Sequence, residues 1–438
     1  MKQNLISAAP LSGFIVCFLL SCGLQAQRPN IIYIMSDDMG YADLSSYGQT
    51  KYATPNLDRL AAEGIKFTNA YAAAPICTPT RVAFMTGRYP ARTPVGLMEP
   101  LTPSKRDSTI GLTPAYPSLP GLLKKVGYAT ALVGKWHLGF QQDQSPNNNG
   151  FDYFFGIHSG AADYVSHLGD SRTNDLYENE QLVTVPGYLT NLIAEKAVAF
   201  IKQPQAKPFF LSVMFTAPHW PWQAPGDAPY KDTVNFRAGG SPAKYAAMMK
   251  SMDDAVANIL KALEEANLSA NTLVIFTNDN GGERYSDNGK FTGGKPSLWE
   301  GGIRVPAFAR WPGKIAPGSQ TQQVAVTMDW TATILRTAGA KADPAFPLDG
   351  IDLTNILAGK DTLHERSLHW RTTHRSNHKA MRKGDWKYLQ DEKGEYLFDL
   401  STDEAEKNDL KTKAPEKFQS LKKEYETWQA TVLAPIPL

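Results

Sequence analysis

Four short apolar runs constrain the fold of this chain more than any other feature: NIIYIMS at 30–36, ATALVG at 129–134, PFFLSVMF at 208–215 and TLVIFT at 272–277. Their apolar residues are continuous rather than alternating. Both faces of such strands must be covered, as happens when a parallel sheet is sandwiched between helices. Helical patterns fill the intervals. TPNLDRLAAEGIKF opens with Thr54 as N-cap and Pro55 in the first turn, and spaces Leu57, Leu60 and Ala61 on one face. Tyr188 to Gln203 repeats Leu192, Ile193, Ala197, Phe200 and Ile201. Ser241 to Leu268 carries Met248, Met252, Val256, Ile259 and Leu263 along one stripe, which is core spacing. Strands alternating with helices give an α/β fold with a mostly parallel central sheet and helices on both faces.

Each run also ends in the same kind of chemistry. The first runs into Asp37-Asp38, the second into Lys135-Trp136-His137, the third into TAPHW with His219, and the fourth into Asn278-Asp279-Asn280. Ligand crevices of open α/β sheets lie at the carboxyl ends of the strands. One polar ending is a solvated turn or a cap. Four together predict a site. Asp37, Asp38, Asp279 and Asn280 are oxygen donors and suit Ca²⁺ or Mg²⁺ rather than zinc. Arg81, Lys135 and Lys295 are cations which, gathered around such a centre, would clamp an oxyanion. His137 and His219 then become acid/base candidates.

The 438 residues accommodate a large domain and a smaller one, and the net charge of +2 gives no electrostatic case for nucleic acid or a membrane surface as partner. Residues 1–26 have a charged start, an apolar middle and a small-residue end, the pattern of a secretory signal cleaved after Ala26. The alternative is an imperfect lipobox, LLSC, that would place a lipid on Cys22. Either way the expectation is export to the periplasm or beyond, with no transmembrane span. The mature chain then keeps one cysteine, Cys77, in the polar, proline-flanked stretch ICTPTR. Pro79 fits a first helical turn, so Cys77 lies at a predicted helix N-terminus, where free N–H groups favour an anion. Beyond about residue 360, GDWKYLQDEKGEYLFDL reads as an antiparallel hairpin and APEKFQSLKKEYETWQATV as a terminal helix. The division is therefore a catalytic domain at 27–359 and an α+β subdomain with an antiparallel sheet at 360–438.

CTPTR followed by TGR resembles the signature of the type I sulfatases. The resemblance extends through PNIIYIMSDDMGYADLSSYG, TPNLDRLAAEGIKFTNAY, GKWHLG, APHWPW, TNDNGG, GGKPSLWEGGIRVP and LFDLSTDEAEKNDL, and so covers essentially the whole mature chain. Within the family, GYLTNLIAEKAVAFI resembles the arylsulfatase B-like branch acting on sugar 4-sulfates. The resemblance implies an alkaline phosphatase-like fold and hydrolysis of a sulfate ester. It implies that Cys77 is oxidised to formylglycine by a maturation enzyme, and that the hydrated aldehyde, a geminal diol, attacks sulfur. Asp37, Asp38, Asp279 and Asn280, with the modified Cys77, match the ligands of one Ca²⁺. Arg81, Lys135, His137, His219 and Lys295 match residues around the sulfate, and Ser159 a further sulfate contact. A sulfated carbohydrate is the expected substrate. Trp220 would stack on a sugar, and Arg371, His374 and Arg375 would reach the cleft from the C-terminal region. Two other readings stand beside this one. A phosphatase or phosphodiesterase of the wider superfamily would need Ser or Thr and usually two zinc ions. A non-catalytic calcium-dependent glycan-binding surface protein would need Cys77 to remain a thiol.

Overall fold

The computed structural model describes residues 1, 28–104, 107–169, 171–204, 206–230, 235–360, 363–373 and 377–435. Most of the segment expected to be a signal, with Cys22, and His374 and Arg375 lie outside the described residues. The first half of the chain runs β1 (Asn30–Ser36), α1 (Pro55–Ala62), β2 (Ile65–Phe67), β3 (Ala70–Tyr71), α2 (Cys77–Thr86), α3 (Leu119–Lys125), β4 (Ala129–Lys135), β5 (Tyr153–Ile157), β6 (Leu176–Glu178) and β7 (Gln181–Leu182). There follow α4 (Leu189–Lys202), β8 (Phe209–Met214), α5 (Pro242–Glu265), β9 (Thr272–Asn278), α6 (Glu300–Ile303), β10 (Ala307–Arg310), β11 (Ser319–Thr321), β12 (Ala325–Val326), α7 (Thr327–Ala338) and α8 (Thr354–Leu357). The chain closes with β13 (Ser367–Arg371), β14 (Lys379–Lys383), β15 (Trp386–Asp391), β16 (Gly394–Asp399) and α9 (Pro415–Gln429).

Ten strands form one sheet in the order β11-β2-β10-β9-β1-β8-β4-β5-β6-β7. Its centre is parallel: β1 pairs with both β8 and β9, and β4 with β5 and β8. The four apolar runs are β1, β4, β8 and β9, buried almost throughout. Their residues alternate between two cores. Ile32, Ile34, Val133, Leu211 and Val274 pack under α1, α4 and α5. Ile31, Tyr33, Leu132, Phe210 and Leu273 pack on the opposite face with α2, α3 and α7. The methionine stripe of α5 is fully buried in the first core. Thr54 caps α1 by position only; its hydroxyl accepts from the Ser45 N–H instead.

The antiparallel sheet β13-β14-β15-β16 carries α9 on one face. Its other face is not free. Leu368, Trp370, Ala380, Leu389 and Phe398 share a core with Tyr71 of β3, Ala83 of α2, Ile303 of α6 and Met328 of α7. The Trp370 indole N–H donates to the Ala72 carbonyl at 2.8 Å, just ahead of Cys77. Lys387, on β15, is completely buried and binds Glu300 of α6 at 2.8 Å and Glu406 at 2.7 Å. The C-terminal sheet thus buttresses two segments that build the crevice described next.

Candidate active site

Register places the chemistry. Met35 of β1 is level with Met214 of β8 and Thr277 of β9, so the residues that follow these strands emerge at one edge. Backbone bonds lock the exits together: Asp37 N–H to Ala217 O at 3.0 Å, Phe215 N–H to Met35 O at 2.9 Å, and Asp279 N–H to Ser36 O at 3.2 Å. The Asn278 side chain bridges two of the exits, accepting from the Ser36 hydroxyl at 2.8 Å and donating to Met39 O at 2.6 Å. Asp38 itself sits in the left-handed region at φ 65°.

Cys77 is the first residue of α2, with Ile76 as N-cap, and is 2% exposed. The residues after it tie the helix to its surroundings. The Thr78 hydroxyl donates to His137 O and accepts from Leu101 N–H, both at 3.2 Å. The Thr80 hydroxyl exchanges bonds with the Ala74 backbone at 3.0 and 3.1 Å. Arg81 donates to Asp279 at 2.9 Å and to the Lys135 carbonyl at 3.2 Å. Burial pushes the Cys77 thiol up, against the opposing pull of Lys135 and Lys295. An unmodified thiol here is therefore a poor source of thiolate.

Three carboxylates and three cations interlock around it. Lys135 binds Asp37 at 2.6 Å with both groups fully buried, Lys295 binds Asp38 at 2.6 Å, and Arg81 binds Asp279. Burial opposes the charge on Asp38, but Lys295 and His219 outweigh it and hold the carboxyl well below its usual range. Burial and the neighbouring Asp37 push Asp279 up to about 7 against Arg81 and Lys135. Ligand atoms of Asp37, Asp38 and His219 lie within 4.8 Å of one another. Asn280 donates to Asp38 at 2.8 Å, while its own Oδ1 and Asp37 Oδ1 are buried without a hydrogen-bond partner. Two orphaned oxygens and a crowded carboxylate are what a divalent cation relieves, so these residues fit a hard, oxygen-coordinated ion.

The histidines are distinct. His219 Nδ1 lies 2.5 Å from Trp220 O, which makes it the protonated nitrogen and turns Nε2 to Asp38 at 3.5 Å. His137 Nε2 is held 2.9 Å from Leu101 O, so Nδ1 is a bare, buried acceptor. Burial lowers both imidazoles well below the ordinary histidine value and keeps them neutral. Gly160 permits this packing: a Cβ there would stand 2.6 Å from His137 Cε1. Gly281 does the same for the lysine loop, where a Cβ would meet the Gly301 carbonyl at 1.9 Å.

These groups open into a cavity of about 190 Å³ lined by Cys77, Leu101, His137, Gly160, His219, Trp220, Arg237, Glu283 and Lys295 among others. Of the residues expected from sequence, Cys77, His137, His219, Trp220 and Lys295 therefore line it, while Asp37, Asp38, Arg81, Lys135, Asp279 and Asn280 lie behind. Ser159 and Arg371 do not. The Ser159 hydroxyl is spent on Ala161 O and Asp175, inside the wall. The Arg371 guanidinium donates to Leu433 O at 2.7 Å in a separate recess beside Tyr89 and Trp428. Trp222 is packed at 2% exposure. Arg237 and Glu283 are additions that no local sequence pattern announces.

A doubly covered, mostly parallel sheet whose strand ends, a helix N-terminus and a carboxylate cluster meet in one crevice is the alkaline phosphatase-like architecture. A family model described as Sulfatase matches residues 29–340, and one described as N-sulphoglucosamine sulphohydrolase, C-terminal, matches 291–430. The chain is 37% identical over 359 residues to N-acetylgalactosamine-6-sulfatase of Rattus norvegicus, covering 76% of this chain and 66% of that protein. It is 35% identical over 344 residues to arylsulfatase J of Mus musculus, covering 76% and 56%. It thus spans at most about two thirds of the length of these two relatives. The solved structure of Ps i-CgsB in complex with k-i-k-neocarrahexaose superposes with a TM-score of 0.84 at 30% identity, over 93% of this chain and 94% of that one. The chain belongs to the sulfatase family, whose members are sulfuric ester hydrolases.

Proposed function

We propose that this chain is exported and hydrolyses a sulfate ester on a carbohydrate, with Cys77 converted to formylglycine by a maturation enzyme and one Ca²⁺ held by Asp37, Asp38, Asp279 and Asn280. The observation that carries the reading is the position of Cys77: a buried thiol of raised pKa at a helix N-terminus, facing a lysine and two histidines. Catalysis is assigned to residues 27–359, with the C-terminal sheet as buttress. When present, hydrated formylglycine supplies an oxygen nucleophile and calcium supplies charge that activates it.

The chain's own groups divide the remaining work. Lys295, kept charged because Asp38 and its neighbours outweigh burial, faces the cavity and neutralises sulfate oxygens. Lys135 and Arg81 fix the Asp37 and Asp279 carboxylates from behind. A bound sulfate ester adds negative charge beside His219, which favours its imidazolium and makes Nε2 the proton donor to the departing sugar oxygen. His137 Nδ1, unprotonated and free, takes up the proton released at residue 77 when sulfate is expelled. Trp220 lines the cavity and contributes apolar surface for the sugar. The relatives described above include a 6-sulfatase and arylsulfatase J, and do not single out the arylsulfatase B-like branch.

Mass spectrometry of the Cys77 peptide, paired with sulfate release from sulfated oligosaccharides, tests the reading. An aldehyde at residue 77 and calcium-dependent sulfate release are expected. An intact thiol with calcium-dependent glycan binding and no release would instead establish the non-catalytic reading. Fractionation of the producing cells tests export.

A further inference from the structure

Two cations line the cavity, Lys295 and Arg237, and they are held differently. Lys295 is gripped by both oxygens of Asp38, at 2.6 and 2.9 Å. The Arg237 guanidinium has no carboxylate within ion-pair distance among the described residues. It lies over the Trp220 ring, 4.9 Å from the centroid. Stacking on a ring face holds a guanidinium in place and leaves its N–H edge free for a planar anion. Its backbone is anchored as well, donating to Asn235 Oδ1 at 2.9 Å and accepting from Arg284 at 3.3 Å. Arg284 lies 5.2 Å over Trp222, so a second cation stands behind the first. On the same wall, the Glu283 carboxyl faces Asp38, Lys295 and Arg237.

Lys295 is already committed to Asp38, whereas Arg237 is held, among the described residues, only through its backbone and the Trp220 ring. We propose that Arg237, with Glu283 beside it, is a specificity-determining subsite that reads a second anionic group, sulfate or carboxylate, on the glycan carrying the scissile sulfate. The inference rests on the sulfated-carbohydrate reading above and narrows it to polyanionic chains.

The test is calorimetric binding to the full chain with calcium, carrying Cys77→Ala so that probes are not turned over. One probe pair is N-acetylgalactosamine 6-sulfate and its 4,6-disulfate. The other is a 6-sulfated chondroitin disaccharide with its uronate free or methyl-esterified. The second anion is expected to tighten binding about 10- to 100-fold, the effect of a charge-assisted hydrogen bond. Arg237→Ala should reduce that gain to about threefold or less, and Arg237→Lys should restore part of it. A gain only in the first pair assigns sulfate; a gain only in the second assigns carboxylate. An equal gain in Arg237→Ala, or no gain in either pair, overturns the subsite. If sulfate release fails in the unsubstituted chain while the discrimination persists, the proposed function falls and the subsite stands.

Discussion

Lys387→Met is the most informative single substitution outside the crevice. Its ammonium is fully buried between Glu300 Oε1 and Glu406 Oε1. Glu300 also accepts from Tyr71 at 2.6 Å and Arg304 at 3.3 Å, and Glu406 accepts from the Glu300 N–H at 2.6 Å. Burial works against the charge on Glu300, but Lys387, Arg304 and Arg382 outweigh it and hold the carboxyl at about 2. Burial raises Glu406 to about 7, with Lys387 pulling the other way. Removing one member of a buried ionic group costs roughly 3–5 kcal/mol, because the partners stay buried without compensation. For unfolding of a 438-residue chain with an entropy of about 2.1 cal/mol/K per residue, that corresponds to a fall in Tm of roughly 3–5 °C.

The sign of the pH dependence follows from the same groups. The Glu300 contribution is present above the ordinary glutamate value and is lost as pH falls toward 2; that of protonated Glu406 is lost as pH rises through 7. Without Lys387 both carboxyls rise further, so the deficit should be smaller at pH 5 than at pH 8. Calorimetry across that range measures it. Lys383→Met, which breaks a half-exposed pair with Glu424 at 2.8 Å, serves as the control and should cost at most about 1 kcal/mol. Hydrogen exchange should accelerate at Gly301 and Gly302, whose amides fold the lysine loop back on itself. A Tm no lower than the control's, or a deficit independent of pH, would refute the reasoning.

Three further outcomes are expected. Cys77→Ala should fold normally and lose sulfate release by on the order of 10⁴ or more, since no covalent route remains; activity within about tenfold of the parent chain would exclude the formylglycine reading. A strong chelator should abolish activity and Ca²⁺ restore it, and Asp38→Asn should lower calcium affinity and turnover together; unchanged calcium occupancy by calorimetry would remove Asp38 from the ligand set. Gly160→Ala should push the His137 ring from its place and lower kcat by roughly 10- to 100-fold with little change in Tm; a kcat equal to the parent's would show that His137 tolerates displacement or is not the base.

Much of this was legible in the sequence for an identifiable reason. Strands buried on two faces cannot disguise themselves, so β1, β4, β8 and β9 stand out as apolar runs, and their polar exits mark the crevice. Cys77 at a helix start was readable from Pro79 and the apolar residues after it. The short strands that flank the central parallel ones were not readable. β6, β7, β10 and β11 have two to four residues each, too few for a period to show. Pairings made over long separations were equally hidden: Lys387 with Glu300 is 87 positions apart and Arg81 with Asp279 is 198. Ser159 shows the opposite case. A serine beside a strand end looks available, but Asp175, across a loop, had already claimed its hydroxyl.

The burial of Cys77 has a consequence in time as well as space. What closes over it arrives late. Asp279 and Lys295 belong to the second half of the chain, and the Lys387 brace that steadies their loop comes from its last strands. Before those parts dock, the thiol stands open; once they dock, it is 2% exposed and reached only through the cavity it lines. On the formylglycine reading proposed above, conversion of this side chain competes with folding, and a variant that folds faster is expected to give a stable protein with a smaller converted fraction, which mass spectrometry of the Cys77 peptide measures.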